Sequence, residues 1–282
     1  MKLLYLGTAA AEGIPAVFCT CPVCQTARKL KGKNIRTRSQ ALLDGTILFD
    51  FPPDSYAHYI AGGFSARGFT KFDLPAIRHL FITHSHMDHF YPDDLQLRRP
   101  VFVASTPVET LHIYGNRAVE KALLRLQEEE QAVPCNDFRY AKPFEPIEAA
   151  AYRLTPLSAL HDRKEDCLFY AAEHEGKALL YAHDTGIFPD TVWDYFAKTK
   201  IRFNIVSLDC TTILQKDGTN HMGIPDTIEV RKRLLDMGTA DKNTVFVLNH
   251  FSHNGGLNHD DLVKLVEKEG FTVAYDGLEI DV

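Results

Sequence analysis

The sequence predicts an α/β sandwich, in which two mixed β-sheets pack face to face with helices outside. Three observations carry that reading. Short aliphatic and β-branched runs bounded by turn residues recur in both halves of the 282-residue chain, which calls for two sheets rather than one. Helical stretches alternate with those runs, which argues against an all-β design. The stretch 224–236 puts Ile224, Ile228, Val230, Leu234 and Leu235 largely on one face, the pattern of a helix lying on a sheet.

The elements follow in order. Residues 2–7 read as a first strand ended by Gly7; the apolar stretch is short and its basic flank is Lys2 alone, so a strand is preferred to a secretory leader. Strands are expected at 41–49, 78–83 and 101–104, then a helix over 107–128 with Thr106 as cap and Pro107 as first residue. The segment 92–148 departs from the alternating pattern, being rich in helix formers and carrying Pro134, Pro143 and Pro146. It reads as a helical insertion or lid within a single domain spanning 1–282. Further strands are expected at 151–156, 167–173, 177–182, 203–208, 244–249 and 271–274. Between them lie helices at 189–198, at 224–236 opened by Ile224-Pro225, and at 258–268 opened by Asn258.

Composition narrows the function classes. Lys and Arg number 31 against 37 Asp and Glu, a net charge of −6, so the chain lacks the broad positive field on which non-specific nucleic-acid and membrane binders rely. No run of 18 apolar residues is present, which excludes a spanning helix. Six cysteines are too few for a disulfide scaffold, and three of them crowd into Cys19-Thr20-Cys21-Pro22-Val23-Cys24. That usage suits a reduced compartment, and a cytoplasmic location is expected.

The informative segment is Phe81-Ile82-Thr83-His84-Ser85-His86-Met87-Asp88-His89. An apolar strand runs straight into three imidazoles and a carboxylate. Strand alternation sends His84 and His86 to the same side, and the turn after Met87 can swing Asp88 and His89 toward a neighbouring point, so two adjacent metal positions can be served. Neutral imidazole and carboxylate are the ligand types that hold catalytic zinc, manganese or iron.

This segment resembles the His-x-His-x-Asp-His motif of the metallo-β-lactamase superfamily, without a gap. The resemblance implies an αββα sandwich and two divalent metals, with the remaining ligands supplied later in the chain. His161 follows an expected strand, Asp184 stands in Asp184-Thr185-Gly186 as the bridging carboxylate, and His250 ends the strand 244–249. The implied sites are His84, His86 and His161 on one metal, Asp88, His89 and His250 on the other, with Asp184 between. His183 alternates away from Asp184 and is left out. Asp50, at the end of the strand 41–49, can accept the second N–H of a ligating imidazole and fix its tautomer. The superfamily often has an acidic residue there, although Phe51-Pro52-Pro53 replaces the glycine-containing turn that would be expected.

The cysteine cluster is a second signal. Cys19, Cys21 and Cys24 have the spacing of a zinc hook and need a fourth ligand, for which His253, three residues after His250, is the best candidate. Cys135, Cys167 and Cys210 have no partner at metal spacing. The run Gly7 to Pro15, the cysteines, Arg36-Thr37-Arg38-Ser39 and Asp50 together look like the phosphodiesterase branch that includes phosphoribosyl cyclic phosphate phosphodiesterase. That resemblance implies a structural zinc on the cysteine cluster and a catalytic histidine between the bridging Asp and the last ligand. Asn220-His221-Met222 occupies that place, and Asp209 in Asp209-Cys210-Thr211-Thr212 lies near the site without an assignable step.

The expected activity is metal-dependent hydrolysis of a small or cyclic phosphodiester. Two metals lower the pKa of a bound water and stabilise phosphoryl charge, with Asp88 in the catalytic centre and His221 protonating the departing oxygen or binding a phosphoryl oxygen. Three other readings compete. An RNA-processing nuclease lacks here a substrate-gripping arm and gains nothing from the acidic balance. A lactone or thioester hydrolase would use the same metals on a carbonyl, against which His221 argues. A redox or non-catalytic metal-binding scaffold is the third, and the di-iron oxidoreductases generally carry Glu where His86 stands. The expected partner is a small phosphodiester rather than nucleic acid or membrane, and the sequence leaves a monomer and a homodimer both open.

Overall fold

A computed structural model of the chain describes residues 1–63, 72–103, 108–129 and 136–282. Fourteen strands are described: β1 (Lys2–Gly7), β2 (Gln40–Leu43), β3 (Ile47–Phe49), β4 (His79–Phe81), β5 (Leu111–Gly115), β6 (Asn136–Tyr140), β7 (Ile147–Ala149), β8 (Tyr152–Ser158), β9 (Leu168–His174), β10 (Lys177–Ala182), β11 (Ile205–Asp209), β12 (Val245–Asn249), β13 (Phe271–Val273) and β14 (Glu279–Asp281). The helices are α1 (Pro22–Leu30), α2 (Ser55–Gly63), α3 (Arg117–Glu129), α4 (Asp190–Thr199), α5 (Ile224–Asp236) and α6 (His259–Val266).

Among the described residues the strands form two seven-stranded sheets, in the orders β14-β1-β2-β3-β4-β5-β6 and β13-β12-β11-β10-β9-β8-β7. Both are mixed, as the sequence predicts. In the first, β14, β1, β2 and β3 pair antiparallel and β3 to β6 pair parallel. In the second, β7 to β10 pair antiparallel and β10 to β13 pair parallel. A parallel pair needs a crossover, and α2 to α6 each lie in the chain between two parallel neighbours.

The sheets meet through aromatic side chains. Phe49 on β3 stacks on Tyr181 of β10 with centroids 4.4 Å apart, and Phe81 on β4 meets Tyr170 of β9 edge-on at 5.4 Å. Along β1 the period-two pattern buries Leu3 and Tyr5 in this inter-sheet core and Leu4 and Leu6 in a second core on the other face of the first sheet. Val119 and Leu123 of α3 belong to that second core. No described helix is long and apolar enough to cross a membrane.

Several boundaries differ from the expectation for physical reasons. The run 41–49 is a hairpin, because Asp44 and Gly45 take left-handed φ values of 45° and 69° and reverse the chain. The segment 92–148 is not a helical insertion or lid over its described length: β5, α3 and β6 extend the first sheet beyond β4. Its helix formers build a crossover rather than a cover. Residues 101 and 102 form a turn in place of the expected strand, and residue 104 lies outside the described residues. Thr106 and Pro107 also lie outside them, and the described helix starts ten residues later, capped by Asn116, whose Oδ1 accepts the Ala118 and Val119 N–H groups at 2.9 and 3.1 Å.

Candidate metal centre

Five strand ends converge at one edge of the sandwich. The segment after β4 carries His84, His86, Asp88 and His89; β8, β10, β11 and β12 are followed by His161, ended near Asp184, ended by Asp209 and followed by His250, respectively. The chain turns sharply at these points. Asp50, Asp184 and His250 take left-handed φ values of 63°, 50° and 62°, a conformation that Asp and His enter more readily than most residues. Gly186 follows because nothing larger fits: a Cβ there would lie 2.3 Å from the Gly218 carbonyl oxygen.

The expected ligands fall into two groups that share Asp184. His84, His86, His161 and Asp184 bring one ligand atom each to within 4.8 Å of one another, and so do Asp88, His89, Asp184 and His250. In the first group His86 Nδ1 lies 3.2 Å from His161 Nε2, and Asp184 Oδ2 lies 3.3 Å from His84 Nε2 and 3.6 Å from His161 Nε2. In the second, His89 Nε2 is 3.1 Å from His250 Nε2, 3.0 Å from Asp184 Oδ2 and 3.5 Å from Asp88 Oδ2.

Which nitrogen faces inward is set from behind. Thr83 Oγ1 donates to Asp50 Oδ1 at 2.9 Å and so accepts from His84 Nδ1 at 3.0 Å. Asp50 Oδ2 lies 2.8 Å from His89 Nδ1, and the Asn220 carbonyl accepts from His161 Nδ1 at 3.1 Å. Thr211 Oγ1 lies 2.8 Å from His250 Nδ1 and can pass its own proton to Asp209 Oδ2 at 3.0 Å. Each of these four rings thus has a partner for Nδ1 and turns Nε2 toward the others. Deprotonated, the inward Nε2 atoms and the Asp184 carboxylate form a set of donors aimed at common points. His84 Nε2 and Asp184 Oδ1 are also buried with no hydrogen-bond partner, and the donor set is the His and carboxylate mixture that divalent metals take. These residues fit such ions.

His221 and Asp209 complete the centre. His221 Nδ1 lies 3.2 Å from Asp184 Oδ1 and 3.3 Å from Asp209 Oδ2, and its ring centroid is 5.0 Å from that of His161. Burial alone would pull its pKa down, but the two carboxylates push it up to about 11. Asp209 is a hub that sequence reasoning placed without a role. Fully buried, it accepts N–H bonds from Asp184 at 3.1 Å, Thr211 at 3.1 Å and Met222 at 2.8 Å, and the Thr211 hydroxyl as well. Burial pushes its carboxyl up, yet His221 and His250 hold it well below the ordinary carboxylate range.

Residues 46–251 match the β-lactamase superfamily domain. The chain belongs to the metallo-β-lactamase superfamily. Solved structures with the same fold include a diphosphatase from the PhnP family, 21% identical with a TM-score of 0.73, covering 99% of this chain and 96% of that one. Zinc-bound PqqB from Methylobacterium extorquens is 18% identical with a TM-score of 0.75, and all of both chains is covered. Human tRNase Z, short form, is 16% identical with a TM-score of 0.65, covering 100% and 99%. No curated protein matches the sequence.

A separate cluster in this superfamily member lies at the start of α1. Cys21 Sγ and Cys19 Sγ stand 3.4 and 3.7 Å from His253 Nδ1, and with Cys24 the four ligand atoms lie within 4.8 Å of one another. Zinc–ligand bonds of about 2.3 Å to sulfur and about 2.0 Å to nitrogen put tetrahedral neighbours roughly 3.5–3.8 Å apart, which matches. His253 Nε2 faces Glu12 at 3.7 Å, leaving Nδ1 for the thiols. Cys24 lies on α1, whose first turn therefore carries one member of the cluster. Cys167 and Cys210 are buried elsewhere, and Cys135 lies outside the described residues. His183 faces away from the centre as alternation requires, with Nε2 2.6 Å from Ser207 Oγ.

Proposed function

We propose that the protein is a metal-dependent phosphodiesterase acting on a small or cyclic phosphodiester, of which a phosphoribosyl cyclic phosphate is the leading example. In this reading His84, His86 and His161 hold one divalent ion and Asp88, His89 and His250 a second, with Asp184 shared. Zinc, manganese and iron all suit the donors. Such ions, when bound, supply positive charge for phosphoryl oxygens and acidify water toward neutrality.

The observation that carries the reading is the placement of His221 at the edge of the cluster, its Nδ1 3.3 Å from Asp209 Oδ2 and 3.2 Å from Asp184 Oδ1. Asp209 fixes one ring nitrogen, which leaves the other to deliver a proton to a departing sugar or alcohol oxygen. Alkoxide departure needs that proton, whereas a scaffold has no use for one. The fold shared with a PhnP-family diphosphatase supports a phosphate-ester substrate, and Cys19, Cys21, Cys24 and His253 support a structural zinc that ties the N-terminal segment to the segment after β12. Free thiols there suit a cytoplasmic setting.

The test is hydrolysis of bis(p-nitrophenyl) phosphate by metal-reconstituted protein, beside His221→Ala, a lactone and a thioester. Turnover of the phosphodiester alone, falling in the variant by roughly 100-fold or more, is expected. Turnover of the lactone or thioester without the phosphodiester would refute the proposal in favour of carbonyl hydrolysis. No turnover with metals bound would refute it in favour of a scaffold.

A further inference from the structure

One of the five imidazoles is turned the other way. His84, His89, His161 and His250 face the centre through Nε2, but His86 faces His161 through Nδ1, at 3.2 Å. Its Nε2 points outward, 3.2 Å from Asp162 Oδ2. Packing cannot hold this ring as it holds the others: the His86 side chain is 40% exposed, whereas those of the other four are between 0% and 8% exposed. Free imidazole in water exchanges its proton between both nitrogens and turns about its bonds, so a half-exposed ligand needs a partner that selects one state.

We infer that Asp162 is the positioning residue for His86, taking the Nε2 proton so that Nδ1 is bare and aimed into the His84, His161 and Asp184 group, on a loop that Glu165 locks in place. The loop is the one that carries His161, so a single segment supplies one ligand and orients another. Asp162 is itself held, since its Oδ1 accepts the Lys164 N–H at 2.9 Å. Glu165 ties the same loop to the motif: its carboxylate accepts the Ser85 N–H at 3.0 Å and the Ser85 hydroxyl at 2.8 Å, between His84 and His86. It also accepts from Asn116 Nδ2 at 2.8 Å, and Asn116 caps α3. The orienting loop is thus fixed to the motif backbone and to a helix of the first sheet.

His86, Asp162 and Glu165 also lie close enough together to suggest a third ion site. Their oxygens are already committed, those of Glu165 to Ser85 and Asn116 and those of Asp162 to Lys164 and His86, so orientation accounts for the cluster without an added ion.

The inference rests on His86 being a metal ligand, and the experiment separates the two claims. Zinc affinity is measured by competition with a chromophoric chelator for wild type, Asp162→Ala, Asp162→Asn and His86→Ala. The His86 tautomer is read in each metal-free protein that retains it from its ring 15N shifts. The expected result is Nε2–H in wild type, a mixed tautomer in Asp162→Ala, and one zinc bound roughly 10- to 100-fold more weakly while the others, including that of the cysteine cluster, are unchanged. Asp162→Asn, whose amide oxygen can still accept the proton, is expected to lie between. Wild-type tautomer and affinity in Asp162→Ala would overturn the positioning role. Wild-type zinc binding in His86→Ala would overturn the ligand assignment beneath it.

Discussion

Asp209→Asn is a nearly isosteric change with a large expected cost, because every lone pair it touches is already in use. Oδ1 accepts from the backbone of Met222 and Thr211, and Oδ2 from the backbone of Asp184 and the Thr211 hydroxyl. An asparagine must turn its NH2 toward one side or the other. The less costly orientation keeps the two backbone bonds at Oδ1 and sets NH2 against the Asp184 N–H, while the Thr211 hydroxyl can swing to the His250 carbonyl 2.7 Å away. One buried backbone donor is then orphaned, at about 1–3 kcal/mol, and the remaining bonds lose their charged acceptor, at about 1 kcal/mol more. The sum is about 3 kcal/mol, or roughly 6 °C of melting temperature for a chain of this size. A chemical signature should accompany the loss. The Asp209 charge pushes the His221 pKa up, so its removal lowers that pKa, and under the proposed function the high-pH limb of the rate profile for phosphodiester hydrolysis should move to lower pH. Melting of the metal-free and zinc-loaded proteins and a pH–rate profile measure both. A variant that melts with wild type and keeps its high-pH limb would refute the assignment of Asp209 as the hub.

Two further outcomes are expected. Cys21→Ser should remove one zinc from the total metal content and lower the melting temperature while leaving the other metals bound; unchanged zinc and unchanged melting would show that the four-residue cluster holds no ion. His259 Nδ1 accepts from the buried Arg36 guanidinium at 3.0 Å, and burial together with the Arg36 and Lys33 charges pushes its pKa from 6.5 down to about 4. The unfolded chain takes up a proton near pH 6.5 and the folded chain resists until about 4, so this contribution is complete above pH 6.5 and is lost as pH falls toward 4. His259→Gln should therefore lose less melting temperature than wild type between about pH 7.5 and about pH 5, and an equal loss in the two proteins would contradict that coupling.

The sequence carried the alternation of strands and helices because most strands are buried on one or both faces and most helices present one apolar side. α5 emerged with its observed bounds since Pro225 opens it and Ile224, Val230 and Leu234 pack inward. The edge of the first sheet was harder. β6 is a polar edge strand whose Asp137 pairs with His112 of β5 at 2.8 Å, and the crossover α3 dominates the composition of the segment. A polar edge strand next to strong helix formers looks like helix to any pattern of hydrophobicity. The hairpin of β2 and β3 was missed for another reason: Asp44-Gly45 is a turn signal that the apolar residues on either side concealed.

The centre divides along the same physical line. Its candidate ligands could be read because imidazoles and carboxylates crowd within a few residues or stand at strand ends, and chemistry of that type is visible in one dimension. The groups that orient them are ordinary residues whose role exists only across strands. Asp209 pairs in register with Asn249 across β11 and β12, which places it one residue from His250, although forty positions separate them in the chain. Asn220 contributes a backbone carbonyl, which no side-chain identity can announce. Asp162 follows His161 directly yet serves a ring from the β4 segment, so its neighbour in sequence is not its partner in chemistry. A parallel arrangement gathers the C-terminal ends of β10, β11 and β12 at one edge, and a metal centre built there takes its ligands from the loops and its tautomers from the register.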